Sequence, residues 1–205
     1  MYDGVNVQME AFYDKRIQRS KTAIKQTFLT LLYQKSFDHI TISEIAEQAN
    51  YNRGTFYANF ETKENLLDEI IQDVLNDMII QIRNPYKAME KVNMEELQTE
   101  NITLFTYFIE NAALFKLMLS DHIRVDFRYK MAKAIEELFI TEYEYELEEG
   151  STLDPKWLYI YRSHGIAGLI IRWIEEGFSA SPEYMAKQIV ELMTTSTKVF
   201  TVKGK

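Results

Sequence analysis

A chain of 205 residues, 46% of them hydrophobic and 26% charged, is long enough for one or two compact domains and has an ordinary globular composition. The lack of cysteine excludes a disulfide framework, thiolate catalysis and cysteine-ligated zinc. No apolar run approaches the ~18 residues of a membrane-spanning helix, and no signal-peptide pattern opens the chain. We therefore expect a cytoplasmic protein without a membrane partner.

The first predicted helix runs from about residue 16 to residue 35 and follows an N-terminal arm over residues 1–15 that has no apolar period. Its apolar face carries Ile17, Ile24, Phe28, Leu31 and Leu32. Its first turns are basic, through Arg16, Arg19 and Lys21, which is unfavourable for the helix macrodipole. A nearby phosphate backbone would account for these cations, and a solvated charge cluster is the alternative.

Residues 41–60 predict two short helices joined by a tight turn. Thr41 and Glu44 form a capping box at the start of the first of them. The apolar face of this helix consists of Ile42, Ile45, Ala46 and Ala49. The asparagines of Asn50-Tyr51-Asn52 favour a turn, and Asn52 can cap the second helix, which begins at Arg53.

The second of these helices combines a glycine with side chains that donate hydrogen bonds. Gly54 costs roughly 1 kcal/mol against alanine in a helix, so its presence indicates that something approaches the backbone closely. The donors, which suit phosphates and base edges, are Arg53, Thr55, Tyr57 and Asn59. A helix-turn-helix whose second helix enters the DNA major groove needs this combination. The alternative is a generic helical hairpin with a polar outer face.

This part of the chain resembles the DNA-binding domain of the TetR family of bacterial transcriptional regulators. The resemblance extends from Ile17 to Leu67 and rests on residues in a fixed order. They are Phe37, the run from Thr41 to Ala46, the run from Asn52 to Tyr57, Phe60, Lys63, Glu64, Leu66 and Leu67. Ala58 stands where a second aromatic residue is common in the family, and Asn59 stands where histidine is common.

The resemblance implies an all-α protein with two domains. They are an N-terminal three-helix helix-turn-helix DNA-binding domain over residues 16–63 and a C-terminal helical ligand-binding and dimerisation domain over residues 64–205. The partner is double-stranded DNA, and no cofactor is implied. The implied phosphate contacts are Thr41, Ser43, Tyr57 and Lys63, and the implied base-edge contacts are Arg53, Gly54, Thr55 and Asn59, with Asn52 beside them.

A net charge of −8 argues against DNA binding, but the charge is unevenly distributed along the chain. From Asp14 to Lys63 there are eight lysines and arginines and five acidic residues, a net charge of +3 that leaves −11 for the remainder. The basic charge therefore coincides with the proposed DNA-binding domain, where counterion release from DNA would use it. A basic helix on a membrane surface is the alternative, but it would need a broad exposed apolar face, which the first helix lacks.

The rest of the chain is predicted to be helical throughout, without a strand of convincing length. A helix capped by Thr62 extends to about Arg83, where Asn84-Pro85 ends it. Later helices are predicted near residues 95–110, 112–120, 123–147, 155–177 and 182–195.

Aromatic and methionine residues accumulate in the second domain. Such residues combine apolar area with polar handles and adaptable packing, so they predict a cavity between helices for a small apolar or aromatic effector. The candidate ligand-binding residues are Tyr86, Tyr107, Phe108, Met118, Trp157, Tyr161 and His164. The alternative is a plain apolar core.

Small residues in the middle of the helix at 155–177 would let another helix approach closely. In the resembled family, the last two long helices of each subunit pair across a two-fold axis as a four-helix bundle. The candidate dimer residues are Gly165, Gly168, Leu169, Arg172, Trp173, Met185, Ile189 and Leu192. The alternative is packing within one chain.

We therefore expect a homodimeric DNA-binding regulator, a ligand-responsive repressor that acts on a palindromic operator. One alternative is a DNA-binding regulator without an effector, controlled by a protein partner or by its abundance. Another is a helical small-molecule carrier or enzyme. The three histidines lie far apart, and the chain lacks a phosphate-binding loop, a dinucleotide motif and a nucleophile elbow, so we predict no metal site and no enzyme.

Overall fold

A computed structural model of the chain describes residues 3–147, 149–195 and 199–203. The described residues are mostly helical, which confirms the predicted all-α fold class. Their helices are α1 Asp3–Gln34, α2 Ile42–Gln48, α3 Arg53–Asn59, α4 Lys63–Arg83, α5 Leu104–Glu110, α6 Ala112–Met118, α7 Phe127–Glu142, α8 Pro155–Glu175 and α9 Pro182–Thr194. Short 3₁₀ helices occupy Phe37–His39, Asn84–Tyr86 and Thr99–Asn101, and the strands are β1 Lys91–Asn93, β2 Tyr143–Tyr145 and β3 Val199–Val202.

Helix α1 begins at Asp3 rather than near residue 16, so the expectation of a loose arm before it is wrong. The segment has no apolar period because it does not need one to be helical. Once a helix has nucleated, each further residue that is fixed gains one backbone hydrogen bond, so a packed helix can extend beyond the part that it buries. Ile17 is 37% exposed, so it does not belong to the apolar face of α1 that the sequence predicts.

The chain divides into two compact units. The N-terminal unit extends to Gln72 and includes the distant segment Ser120–Arg124, whereas the C-terminal unit comprises Asp73–Leu119 and the chain from Val125 onward. Helix α4 therefore contributes its first residues to one unit and its last residues to the other. The domain limit placed between residues 63 and 64 stays a prediction.

The core of the N-terminal unit is aromatic and aliphatic. Phe28 of α1 and Phe56 of α3 are fully buried, and the ring of Phe28 meets that of Phe37 edge to face at 6.1 Å. The same core contains Ile24, Leu31, Leu32, Ile40, Ile45, Phe60, Leu66 and Leu67. Burying these side chains at about 1.5–3 kcal/mol each holds α1, α2 and α3 together in one unit.

The C-terminal unit is built around the packing of α7 against α8. At one place the rings of Phe108 and Phe115 lie 4.5 Å apart, and Trp173 packs edge to face on Phe105 at 5.5 Å. Trp173 also donates from Nε1 to the carbonyl of Ala180 at 3.0 Å. These rings therefore form a packed core in which the indole N–H of Trp173 is hydrogen-bonded.

A three-stranded antiparallel sheet in the C-terminal unit has the order β1-β3-β2. Phe200 of the central strand lies opposite Val92 on one side and Tyr145 on the other. The prediction that this part of the chain is helical throughout is therefore wrong at three short places. Strands of three or four residues carry no readable alternation, and their partners lie far away in the sequence.

Candidate DNA-binding site

The turn between α2 and α3 has the hydrogen bonds of a Schellman motif. Tyr51 N–H donates to the carbonyl of Ala46 at 2.9 Å, and Asn50 N–H donates to that of Glu47 at 3.0 Å. Asn50 has a φ of 59°, which asparagine tolerates better than most residues. The predicted turn is confirmed, and its hydrogen bonds fix how α3 leaves α2.

Both helices of the motif have the predicted caps. Thr41 Oγ1 accepts from Glu44 N–H at 3.2 Å at the start of α2, and Asn52 Oδ1 accepts from Thr55 N–H at 2.8 Å at the start of α3. Lys35 Nζ donates to Glu44 at 2.6 Å. This bond, helped by the backbone N–H of Thr41, outweighs the effect of burial and lowers the pKa of Glu44. The Glu44 carboxylate therefore stays charged and completes the capping box.

Gly54 lies in the exposed first turn of α3, directly over the capping oxygen. A Cβ added at this position would stand 3.1 Å from Asn52 Oδ1, closer than ordinary van der Waals contact. Glycine here therefore leaves room for the cap as well as for anything that approaches the helix from outside. The sequence suggested an approach to the helix from outside, whereas the room that glycine leaves for the cap is visible only in the geometry.

Arg53 and Tyr57 form one exposed donor surface on α3. Arg53 Nη2 lies 3.4 Å from Tyr57 Oη, and its guanidinium carbon lies 5.9 Å from the centre of the tyrosine ring. Tyr57 is 48% exposed, and its ring packs edge to face on buried Phe56 at 5.7 Å. This contact anchors the base of the pair, while its polar ends face away from the core.

Asn59 is turned toward the protein, which contradicts its predicted contact with base edges. Its Nδ2 donates to the Thr55 carbonyl at 2.8 Å and to Ser20 Oγ at 3.1 Å. Both amide hydrogens are therefore used inside the N-terminal unit. Sequence spacing placed Asn59 on the outer face, but its short side chain reaches α1 because Ser20 is buried directly beside it.

Lys63 is also committed to the fold rather than free to hold a phosphate. Its Nζ donates to the carbonyls of Phe37 at 2.7 Å and Ile40 at 2.8 Å, and it lies 4.3 Å above the Phe37 ring. These carbonyls belong to the first residue of the 3₁₀ helix before α2 and to the residue that follows that helix, where the backbone has acceptors to satisfy. The predicted phosphate contact of Lys63 is therefore replaced by a capping role.

The cations near α1 fall into two groups. Lys21 and Lys25 bond Glu69 of α4 at 2.6 and 3.0 Å. Burial raises the pKa of Glu69, but the contacts and positive charges of the two lysines together lower it by more, so its net pKa lies below the ordinary value. Arg16 and Arg19, by contrast, are exposed. Together with Lys15, which is exposed on the same helix, these arginines are cations that α1 offers to an outside partner.

The segment Ser120–Arg124 closes the N-terminal unit behind the 3₁₀ helix. The backbone carbonyl of His122 accepts from Phe37 N–H at 2.9 Å, and its ring Nδ1 lies 2.8 Å from the carbonyl of Leu32. A carbonyl can only accept, so Nδ1 carries the proton. Arg124 adds an exposed ion pair with Asp38 at 2.9 Å. No sequence pattern suggested these long-range bonds.

The predicted ligand-binding residues do not converge on one site. Trp157 and Tyr161 are 60% and 73% exposed on α8, so they do not line a cavity within this chain. His164 Nε2 lies 3.3 Å from Glu136, whose carboxylate also bonds Lys133. Phe108 and Met118 are fully buried in the packed core, and Tyr107 is half-buried beside them. Their burial supports the alternative of a plain core at those positions.

An apolar cavity of about 50 Å³ does occur in the C-terminal unit. Of the seven predicted residues, only Tyr86 lines it. Other lining residues include Phe105, Phe139, Tyr143, Ile189 and Phe200. The Tyr143 hydroxyl is buried and has no hydrogen-bond partner among the described residues, and burial raises its pKa so that it remains a protonated donor.

The predicted dimer residues divide into an exposed and a buried group. The exposed group consists of Gly165, Gly168, Leu169, Arg172 and Leu192. A Cβ added at either glycine would meet nothing within 4 Å. Trp173, Met185 and Ile189 are buried within the C-terminal unit, so they are wrong as surface contacts. They share the helical spacing of an interface because the inner face of an amphipathic helix has the same period as its outer face.

No group of three histidine or acidic residues suited to a metal ion occurs among the described residues. Within the same residues, no helix is long and apolar enough to cross a membrane.

Comparison with known proteins identifies the family from both units. The family model "Bacterial regulatory proteins, tetR family" matches residues 29–70, and the model "Transcriptional regulator C-terminal region" matches residues 95–195. Both describe transcriptional regulators, so the chain is not an enzyme.

Individual relatives are distant but extend over most of the chain. The HTH-type transcriptional regulator YxbF of Bacillus subtilis (strain 168) is 24% identical over 179 residues, which are 86% of this chain and 45% of YxbF. The chain thus spans less than half the length of YxbF. The dhaKLM operon activator DhaS of Lactococcus lactis (strain IL1403) is 22% identical over 196 residues, covering 94% of this chain and 99% of DhaS.

A solved TetR transcriptional regulator from Streptococcus agalactiae 2603V has the same fold, with a TM-score of 0.61 and 23% identity. The match covers 89% of this chain and 98% of the other. The two family models together match well over half of the residues. The N-terminal model covers the helix-turn-helix formed by α2 and α3. The chain therefore belongs to the TetR family of bacterial transcriptional regulators.

Proposed function

We propose that this regulator binds a specific palindromic operator as a homodimer and acts as a repressor in the cytoplasm. The observation that carries the proposal is the outer surface of α3, where Arg53 and Tyr57 project beside a glycine in an N-terminal turn. A helix presenting donors in this way suits the major groove. The relative DhaS is named an activator. A promoter-reporter assay therefore tests whether this protein represses or activates transcription.

The proposed DNA contacts follow from which groups the fold leaves available. Arg53, Gly54 and Thr55 would face the base edges from the first turn of α3, with Asn52 next to them. Tyr57, Thr41 and Ser43 would bond phosphates; the Thr41 cap uses its oxygen as an acceptor and leaves the hydroxyl proton to donate. Arg16 and Arg19 would add charge at the DNA backbone.

The proposed dimer surface is the exposed face of α8. This face consists of exposed residues at helical spacings of three or four positions: Trp157, Tyr161, Gly165 and Gly168. The exposed Leu169 lies next to Gly168. Two glycines with open space above them between large apolar side chains suit close packing against a second helix. A two-fold dimer would place its two α3 helices in half-sites one helical turn of DNA apart, or a multiple of it.

A small, mostly apolar effector would bind at the cavity near Tyr143. The buried hydroxyl is a donor with no partner among the described residues, so a ligand with one acceptor group would satisfy it. The volume of about 50 Å³ is a third of the ~150 Å³ that holds benzene in a buried apolar site. Such a ligand must therefore widen the cavity on binding, and must favour the DNA-incompetent state in order to induce.

A regulator without an effector is the second candidate, and the small cavity favours it. Selection of binding sites from randomised double-stranded DNA tests the DNA-binding proposal, with the Arg53→Ala variant as the negative control.

A thermal-shift screen of small apolar compounds, repeated with Tyr143→Phe, tests the effector. A compound that stabilises the wild type and releases DNA, but loses affinity with Tyr143→Phe, is the expected result. Hits that bind both proteins equally would exclude Tyr143 as the contact.

A further inference from the structure

The position of α3 in the N-terminal unit depends on few contacts. The helix has seven residues and is about 10 Å long. Phe56 is its one buried residue, and the Schellman turn at Asn50 holds its N-terminal end. Phe60, the residue that follows the helix, is buried too, and its ring lies 5.8 Å from that of Phe56. These two rings hold the inner side of the helix, so its exact direction depends further on the polar side chain of its last turn, Asn59.

At this end of the helix, Asn59 and Ser20 form a hydrogen-bonded chain from α3 to α1. Asn59 Nδ2 donates to Ser20 Oγ at 3.1 Å, and Ser20 Oγ donates to the carbonyl of Ile17 at 2.8 Å. Asn59 Nδ2 also donates to the carbonyl of Thr55 at 2.8 Å, and because a carbonyl can only accept, this bond fixes which end of the amide faces inward. We call the Asn59–Ser20 hydrogen bond and the bonds at its two ends the Ser20–Asn59 tether.

We propose that the Ser20–Asn59 tether sets the operator specificity of this protein by fixing the direction of α3, without either residue touching DNA. The proposal rests on the proposed sequence-specific DNA binding. Ser20 is 4% exposed, so DNA cannot reach its hydroxyl, and Asn59 uses both amide hydrogens within the protein. They are positioning residues for Arg53, Gly54 and Thr55 at the opposite end of the helix.

The geometry of base recognition makes this sensitive to small movements. Hydrogen bonds to base edges need heavy-atom distances of about 2.7–3.2 Å, so a displacement of about 1 Å at the first turn breaks them. Phosphate attraction falls off gradually with distance and survives such a shift. Loss of the tether should therefore reduce discrimination between sequences much more than affinity for random DNA.

The experiment compares the full-length wild type with Ser20→Ala, Asn59→Ala, the double variant and Thr22→Ala, which removes an exposed hydroxyl from the same helix. The operator is first selected by the wild type from double-stranded DNA with a randomised core. Affinities are then measured for that site, for every single-base change in it and for random DNA. Circular dichroism and urea unfolding establish that each protein is folded. The two single variants break the tether from opposite sides, so either can carry the test.

Each single variant should lower the ratio of operator to random-DNA affinity about tenfold, the size of one or more lost base contacts. The loss should extend over all base pairs that α3 contacts, and the double variant should be no worse than either single one. Thr22→Ala should match the wild type. Ser20→Ala with full specificity would overturn the tether, as would equal losses for operator and random DNA. Loss at a single base pair in Asn59→Ala alone would make Asn59 a direct reader. A wild type that selects no site would refute the DNA-binding proposal and the tether with it.

Discussion

Replacing Lys63 by methionine distinguishes a capping lysine from a phosphate-binding one. The change keeps the aliphatic stem and removes the ammonium that bonds the carbonyls of Phe37 and Ile40. The Phe37 carbonyl retains a second donor, Ile40 N–H at 3.2 Å, so the main loss is at the Ile40 carbonyl. We therefore expect Lys63→Met to destabilise the N-terminal unit.

The size of this effect follows from the contacts that are lost. An acceptor left unsatisfied in a buried place costs about 1–3 kcal/mol. The ammonium above the Phe37 ring adds about 0.5–1 kcal/mol. Lys63 is only partly buried, so we take the lower part of this range and expect a loss of about 2 kcal/mol in the free energy of unfolding. For a chain of this length that corresponds to a fall of about 4–8 °C in Tm.

Calorimetry of wild type, Lys63→Met and Lys15→Met measures this loss, and the salt dependence of DNA binding is measured on the same proteins. Lys15 is exposed on α1, so its replacement should change the unfolding free energy by less than about 0.5 kcal/mol. Lys63→Met should lower Tm and leave the salt slope unchanged. An unchanged Tm with a salt slope smaller by about one unit would refute the capping role and restore the phosphate contact.

Three further predictions concern DNA binding, assembly and acid stability. Arg53→Ala should weaken operator binding by about 1–3 kcal/mol in a competition assay, and equal weakening on random DNA would contradict a base contact. Gly168→Glu should yield monomers in sedimentation, because it puts a charge on the exposed face of α8; an unchanged dimer would move the interface elsewhere. The Lys21 and Lys25 bonds hold the pKa of Glu69 below its ordinary 4.5, so their stability is present above that pH and is lost as pH falls through the lowered pKa. Lys25→Met should flatten this fall in urea unfolding, and an unchanged pH profile would contradict it.

Local features of the helix-turn-helix could be predicted because they depend on neighbours in sequence. The caps at Thr41 and Asn52 are in place, as is the turn at Asn50, since each is a bond between residues a few positions apart. The ordered motif from Phe37 to Leu67 identified the family for the same reason, and the two family models agree with it. The strands and the inner side of α8 were missed or misplaced because their partners are remote.

Spacing, capping residues and charge were sufficient to predict the helical fold, the family and the donors on α3. Which polar groups remain available to DNA depends instead on contacts between residues that are distant in sequence. Asn59 and Lys63 have the right chemistry for DNA, but both are used by atoms at least 20 positions away, in α1 and in the 3₁₀ helix. Tertiary contacts also decided that Trp157 and Tyr161 face outward and that His122 bonds the N-terminal unit. A periodic pattern shows that a helix has two faces, whereas what each face meets depends on residues that the pattern does not contain.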